Sequence, residues 1–376
     1  MTSRAEIVVD LAAVRHNVRR LAYLTQTPVM VVVKADGYGH GMVEVARAAR
    51  EAGAPWLGVA APAEALRLRE AGDTGRLLTW LSVPRDDLAA LVERDVDLTA
   101  YTLAELDQIA DAARRANRRA RLQLKVDTGL SRGGAMPADW PMLFEHARKG
   151  QDRGIWKVTG IWSHLASSEV PEDPANDAQE KVFREALAEL AEAGLTPEVR
   201  HLGNSAGAIL RPSARFDLVR VGIAAYGLPP GPGVITGLGL RPAMTLRADL
   251  AMVKDVPAGA AVSYGGHWVA PAPTSLGLVP VGYAEGIPRA AADRAEVWIA
   301  GARRPIRGTI CMDQFVVDLA GDHPPVGEDV VLFGPGDSGE PTAQEWAEAA
   351  GTISYEIVTR LGGRLTRRHI DTDREA

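Results

Sequence analysis

An eightfold recurrence constrains this chain more than any other feature. Between residues 28 and 227, short apolar, β-prone runs alternate with amphipathic or alanine-rich segments of helical period. The runs are PVMVVVK (28–34), PWLGVA (55–60), RLLTWLS (76–82), VDLTAY (96–101), RLQLKVD (121–127), KVTGIWSH (157–164), EVRHLGN (198–204) and LVRVGIAAYG (218–227). The alternation argues for parallel β/α units, and eight of them predict an α/β fold, a (β/α)8 TIM-type barrel. The intervening helices carry their own signals. Thr102 followed by Glu105 has capping-box spacing, and ELDQIADAARRA places apolar residues at helical intervals.

After about residue 230 the texture changes. LPPGPG (228–233) reads as a turn-rich linker, and the remainder is dense in Val, Thr, Gly and Pro. The chain is too long, at 376 residues, for one ordinary core. The expected division is a barrel over 1–232 and a mostly β C-terminal domain over 233–376. Candidate strands there lie in MTLRADLAMVKDV, LGLVPVGYA, AEVWIAG, QFVVDL and DVVLFG, and EIVVDL (6–11) is a candidate extra strand of that domain. The end from Thr366 to Ala376 is expected to fray.

In a barrel the reactive groups collect where strands end. Lys34, Lys125, Asp127, His164, His201 and Asn204 each stand at or near the end of a predicted run, so the fold would converge them on one mouth. An open sheet would spread them out. The segment VVVKADGYGHG (31–41) is the most suggestive, because Lys34 ends an apolar run and Gly37, Gly39 and Gly41 let the backbone bend close to a ligand. Tyr38 and His40 add a ring and a titratable group. A lysine screened from water loses its proton more easily and forms an imine with a carbonyl cofactor.

That segment matches the pyridoxal phosphate (PLP) lysine motif of alanine racemases, and the resemblance runs through nearly the whole chain. It implies PLP held as a Schiff base on Lys34. In LKVDTGLSRGG (124–134), Arg132 fits the family's arginine for the cofactor phenolic oxygen and substrate carboxylate, a task that suits a planar guanidinium. Lys125 fits a lysine that the family commonly carbamylates. His164 corresponds to a histidine linking the pyridine-side arginine to the catalytic tyrosine. HLGNSA (201–206) implies His201 packed near the ring and Ser205 on the phosphate. RVGIAAYG (220–227) implies Arg220 facing the pyridine nitrogen, with Gly222 and Ile223 offering amides to the phosphate. A permanent cation there disfavours a protonated pyridine and favours racemisation over transamination.

Racemisation needs acid–base groups on both faces of the α-carbon. Lys34 serves one face; by resemblance, Tyr264 in VSYGGHW (262–268) serves the other, reaching across a homodimer interface. Taken alone, VSYG reads as an aromatic at a β-turn. Tyrosine is a weak base at neutral pH without a nearby positive charge, and the implied Tyr264, His164 and Arg220 chain would provide one. By the family's stereochemistry Lys34 takes the proton from the D-isomer and Tyr264 from the L-isomer. GYAEG, CMDQ and YEIVTRLGGR imply Tyr283 at the approach to the site, Met312 on the substrate carboxylate, Asp313 gating access and Tyr355 on the phosphate. Three departures from the family's pattern are Thr309, where arginine is usual, Trp268, and LGGRLTRRHI near the end.

The implied function is interconversion of L- and D-alanine for peptidoglycan precursors. A broader racemase acting on serine or basic amino acids, a PLP decarboxylase and a non-catalytic PLP carrier are the alternatives. A net charge of −6 gives no basic excess for nucleic acid or anionic lipid, so neither partner is expected. No metal site is expected. The opening residues lack an apolar signal core, and Cys311 alone allows no intrachain disulfide, so a cytoplasmic location is expected.

Overall fold

The structure, a computed structural model, describes residues 4–231, 233–234 and 237–375. Strand β1 (Ala5–Asp10) comes first, followed by β2 (Val29–Val32), β3 (Trp56–Val59), β4 (Arg76–Thr79), β5 (Asp97–Ala100), β6 (Ala120–Lys125), β7 (Trp156–Trp162), β8 (Val199–His201) and β9 (Val219–Val221). Each of the eight predicted runs overlaps one of β2 to β9, with β6 and β7 starting one residue before their runs. These strands are all parallel and lie in chain order, with β9 returning to pair with β2 through Val29↔Val219. The remaining seam is bridged where Arg220 N–H donates to the Gly203 carbonyl and Asp217 N–H to that of Arg200, both at 3.0 Å. The result is a nearly closed barrel.

Period-two alternation sorts its side chains. Val31, Leu57, Leu77, Leu98, Leu122 and Val158 join one buried core with helix residues such as Leu21, Val45, Leu106, Phe144 and Phe183. Met30 and Leu78, their neighbours along the strands, point the other way into a separate cluster with Trp56 and Leu218. On that inner side Asp97, Gln123, Thr159 and His201 are polar yet fully buried. The helix Leu103–Ala116 starts as its sequence predicts: Thr102 Oγ1 accepts from Glu105 N–H at 3.2 Å and Glu105 Oε2 from Thr102 N–H at 3.0 Å. Such a cap contributes about 1 kcal/mol.

The first predicted run needs a correction. Its strand stops at Val32, and Ala35, Asp36, Gly37, Tyr38 and Gly39 all have φ between 52° and 79°, so Lys34 leads into a left-handed turn. Gly37 N–H donates to the Val33 carbonyl and Gly39 N–H to that of Ala35 at 2.9 and 3.0 Å, which holds this unfavourable conformation closed.

The C-terminal domain is mostly β. Its nine-stranded sheet runs Met252–Val256, Thr274–Val279, Phe315–Asp318, Ala302–Arg307, Glu296–Ile299, Asp329–Phe333, Met244–Asp249, β1, Thr366–Ile370. The opening strand is therefore a member of the second sheet, antiparallel to Met244–Asp249 and parallel to Thr366–Ile370. The tail expected to fray is instead a strand through Ile370, followed by helix Thr372–Glu375, and Arg15 donates to Asp371 Oδ2 at 3.0 Å. Parallel pairing with β1 stabilises it; Ala376 lies outside the described residues, as does residue 232, at the expected domain boundary. Among the described residues no helix is long and apolar enough to cross a membrane.

Candidate active site

A cavity of about 620 Å³ opens at the carboxyl ends of the barrel strands. Lys34, Tyr38, Lys125, Arg132, His164, Ser205, Arg220, Gly222, Ile223 and Tyr355 all line it. Tyr355 comes from helix Ser354–Thr359 of the second domain, and its ring lies 6.2 Å from that of Tyr38. Gly222 is required by close approach, since a Cβ there would fall 2.3 Å from the Tyr38 hydroxyl. The Gly222 N–H donates to Ser205 Oγ at 2.9 Å, so this amide and hydroxyl act as one unit at the start of helix Ser205–Leu210.

The cavity is strongly cationic. Four basic side chains line it, against the single carboxylate Glu169. Burial, with Arg132 adding to it, lowers the Lys34 pKa, which favours a free amine. Burial, then Arg132 and Arg220, brings Lys125 down to about 8. Arg220 is 4% exposed and is pushed down to about 9 by burial and by Arg132, still cationic at neutral pH. Its guanidinium donates to the Ser163, His201 and Leu202 carbonyls at 2.7–3.1 Å, and to His201 Nδ1 and His164 Nδ1 at 3.1 and 3.2 Å. Arginine has no acceptor, so both ring nitrogens must be unprotonated. Burial and Arg220 hold both histidines well below their ordinary pKa, in agreement with neutral rings.

Six residues expected at or near the site do not line this cavity. His201 is fully buried one layer beneath the cavity, stacked on Trp162 at 5.7 Å and bonded through Nε2 to Gln123 Oε1 at 2.8 Å. It reaches the site through Arg220, because its strand position turns it toward the barrel interior. Asp127 also turns away, accepting from the Gly129 and Ser131 N–H groups at 2.8 and 3.1 Å as the chain leaves β6. Asn204 does line the cavity. Tyr264, Tyr283 and Met312 are 75%, 44% and 53% exposed on the second domain and do not line this chain's cavity. Asp313 is likewise outside it and pairs with Arg364 at 2.6 Å.

Sequence reasoning missed an aromatic wall. Trp80, Tyr101 and Trp162 line the cavity, with Lys34 Nζ 5.9 Å from the Trp80 ring and Lys125 Nζ 4.8 Å from that of Trp162. Each stands at a strand's last residue or the one after it, the same positional rule that picked out Lys34. Glu64 was missed too: its carboxylate accepts from Ala35 N–H at 2.7 Å and from Ala60 and Ala61 at 3.0 Å, tying the lysine turn to the next unit.

A nearly closed barrel, a lysine- and arginine-lined mouth and a β-rich second domain reaching into that mouth define a two-domain barrel protein whose cavity chemistry suits small anionic molecules. Residues 9–230 match the family "Alanine racemase, N-terminal domain" and residues 243–369 match "Alanine racemase, C-terminal domain". Alanine racemase from Thermobifida fusca is 52% identical over 368 residues, covering 98% of each chain. The solved structures of alanine racemase from Streptomyces coelicolor A3(2) and from D-cycloserine-producing Streptomyces lavendulae superpose with TM-scores of 0.96 and 0.97. Both are 50% identical to this chain, with 98% of each chain covered. The chain belongs to the alanine racemase family.

Proposed function

We propose that this protein interconverts L- and D-alanine with PLP, at a site completed by a second copy of the chain. The cavity carries the argument: a half-buried amine stands among cations that suit a phosphate, a phenolate and a carboxylate, with one carboxylate opposing them. These residues fit PLP. Lys34 would hold it covalently, the Ser205–Gly222 unit, Ile223 and Tyr355 its phosphate, and Arg220 its pyridine nitrogen. Bound PLP would supply an electron-withdrawing ring that acidifies the substrate's α-hydrogen.

The chain's own groups do the rest. Arg132 orients the substrate carboxylate, while Arg220, a donor only, limits how strongly the ring withdraws electrons. Lys34 holds or releases a proton on one face of Cα. Tyr264 of a second subunit does so on the other, with Met312 and Asp313 beside it and Tyr283 at the approach; the exposure of Tyr264, Met312 and Tyr283 supports a homodimer. His164 links Tyr264 to Arg220. A Lys125 pKa near 8 leaves about a tenth of the amine neutral at pH 7, which supports its addition to carbon dioxide as a carbamate with loss of a proton. The boundary near residue 232 is supported by family matches ending at 230 and resuming at 243. A cytoplasmic role supplying D-alanine for peptidoglycan completes the reading.

Polarimetry of L-alanine, L-serine and L-lysine with the PLP-loaded protein tests it. Alanine is expected to lose its rotation fastest. Unchanged rotation of all three, with absorbance showing PLP on Lys34, would favour a decarboxylase or carrier.

A further inference from the structure

Thr309, where the family pattern has arginine, is 8% exposed, and its hydroxyl has a defined task. It donates to the Tyr264 carbonyl at 3.0 Å, while Ser263 Oγ donates to the Thr309 carbonyl at 2.7 Å. The two hydrogen bonds form a reciprocal clasp between the tyrosine turn and the segment 308–311. Cys311 Sγ lies 3.4 Å from the same Ser263 hydroxyl.

The turn needs such a clasp. Ser263, Gly265 and Gly266 have φ of 63°, 77° and 54°, and a serine in that region is strained. The turn is flanked only by the two-residue strands Ala261–Val262 and Trp268–Val269. Tyr264 itself is 75% exposed, so little packing within the chain fixes it. Gly308 lets the two segments meet: a Cβ there would lie 2.5 Å from the Val262 carbonyl. Asp293 Oδ1 accepts from Gly308 N–H at 2.7 Å and anchors the far side.

We infer that Thr309, together with Ser263, is a positioning residue that sets Tyr264 for proton transfer on the L-face of the substrate. This rests on the reading of Tyr264 as the second base. Thr309 is not a cavity residue and its hydroxyl bonds the Tyr264 turn, so its loss raises the barrier of one proton transfer and spares the other.

The test uses PLP-loaded T309V, T309S, S263A and Y264F with L- and D-alanine deuterated at Cα. T309V keeps the shape and removes the hydroxyl, so kcat/KM should fall about tenfold, the worth of one hydrogen bond. It must fall equally in both directions, because the overall equilibrium is fixed. The isotope effects must diverge: larger from L-alanine, where deuterium leaves through Tyr264, and closer to one from D-alanine, where it leaves through Lys34. T309S should restore the wild-type pair of values, and S263A should reproduce the divergence if T309V folds poorly. Isotope effects that stay unchanged, or move together, in both T309V and S263A overturn the inference. If Y264F racemises like wild type, the assignment of Tyr264 fails instead; a crippled Y264F beside a normal T309V removes only the role of Thr309.

Discussion

At the amino-terminal end of the barrel, Glu198 lies 2.6 Å from Arg76, 2.6 Å from Lys157 and 3.3 Å from Arg121, and the same two arginines meet buried Asp97 at 3.2 and 2.9 Å. At the carboxyl-terminal end, Lys34, Lys125, Arg132 and Arg220 share a cavity with Glu169 alone. The floor matches its cations with carboxylates; the mouth leaves them unmatched. Of the mouth cations Lys125 and Arg220 are buried and Lys34 is half-buried; cations withdrawn from water without a carboxylate partner destabilise a fold, so the mouth suits an anionic ligand as the floor suits itself.

The comparison breaks most sharply at Lys34. Lys34→Ala should cut racemisation by at least roughly a thousandfold, since on the proposed reading it removes both the cofactor's anchor and one base. Its melting temperature should hold or rise, because an amine with a burial-depressed pKa is a cost to folding. A mutant that melted well below wild type under cofactor-free conditions would contradict the picture of an unmatched mouth.

On the proposed reading, removal of PLP should act next in size. Dialysis against hydroxylamine is expected to lower stability by about 3 kcal/mol at saturating cofactor. Inorganic phosphate should restore part of the lost melting temperature, and Arg220→Gln should weaken that rescue. Equal rescue by a neutral solute would mean that charge at the mouth is not the cause.

The smallest effect belongs to the floor. Against burial, which raises it, Lys157 and Arg76 hold the Glu198 pKa down at about 2. A depressed carboxylate stabilises the fold above its unfolded pKa near 4.5, and that stability fades as pH falls towards 2. After solvent screening, Glu198→Gln should cost about 1–2 kcal/mol at pH 7. Urea titrations should show the difference shrinking below pH 4, with kcat per folded molecule unchanged. A kcat change at neutral pH would show that the floor reaches the chemistry.

Much of this contrast was legible in the sequence, because a strand's end is a local property. The eight runs and the Thr102 cap follow from periodicity and turn chemistry, while most of the cavity set from Lys34 to Tyr355 was legible only through the resemblance to the family's motifs. Trp80, Tyr101 and Trp162 stood at the same kind of position but lacked an obvious reactive group. What stayed hidden was long-range. His201 lies beneath Arg220 because of an inner-face alternation that needs the barrel closed. The left-handed turn after Val33 depends on carbonyl partners, and the Thr309 hydroxyl meets Tyr264 from 45 residues away.

The pairing of β1 with the last strand also sets an order of events during synthesis. Glu6 and Arg368 contact each other across 362 residues, a span that takes a ribosome roughly half a minute to translate. The opening strand must wait that long for its parallel neighbour, while Lys34 and the barrel strands emerge early. Tyr355 arrives only just before that neighbour, so a nascent chain can assemble its cationic mouth before the residue that closes it exists. A chaperone or free cofactor meeting the chain in that interval would find the mouth open on the side that Tyr355 later covers.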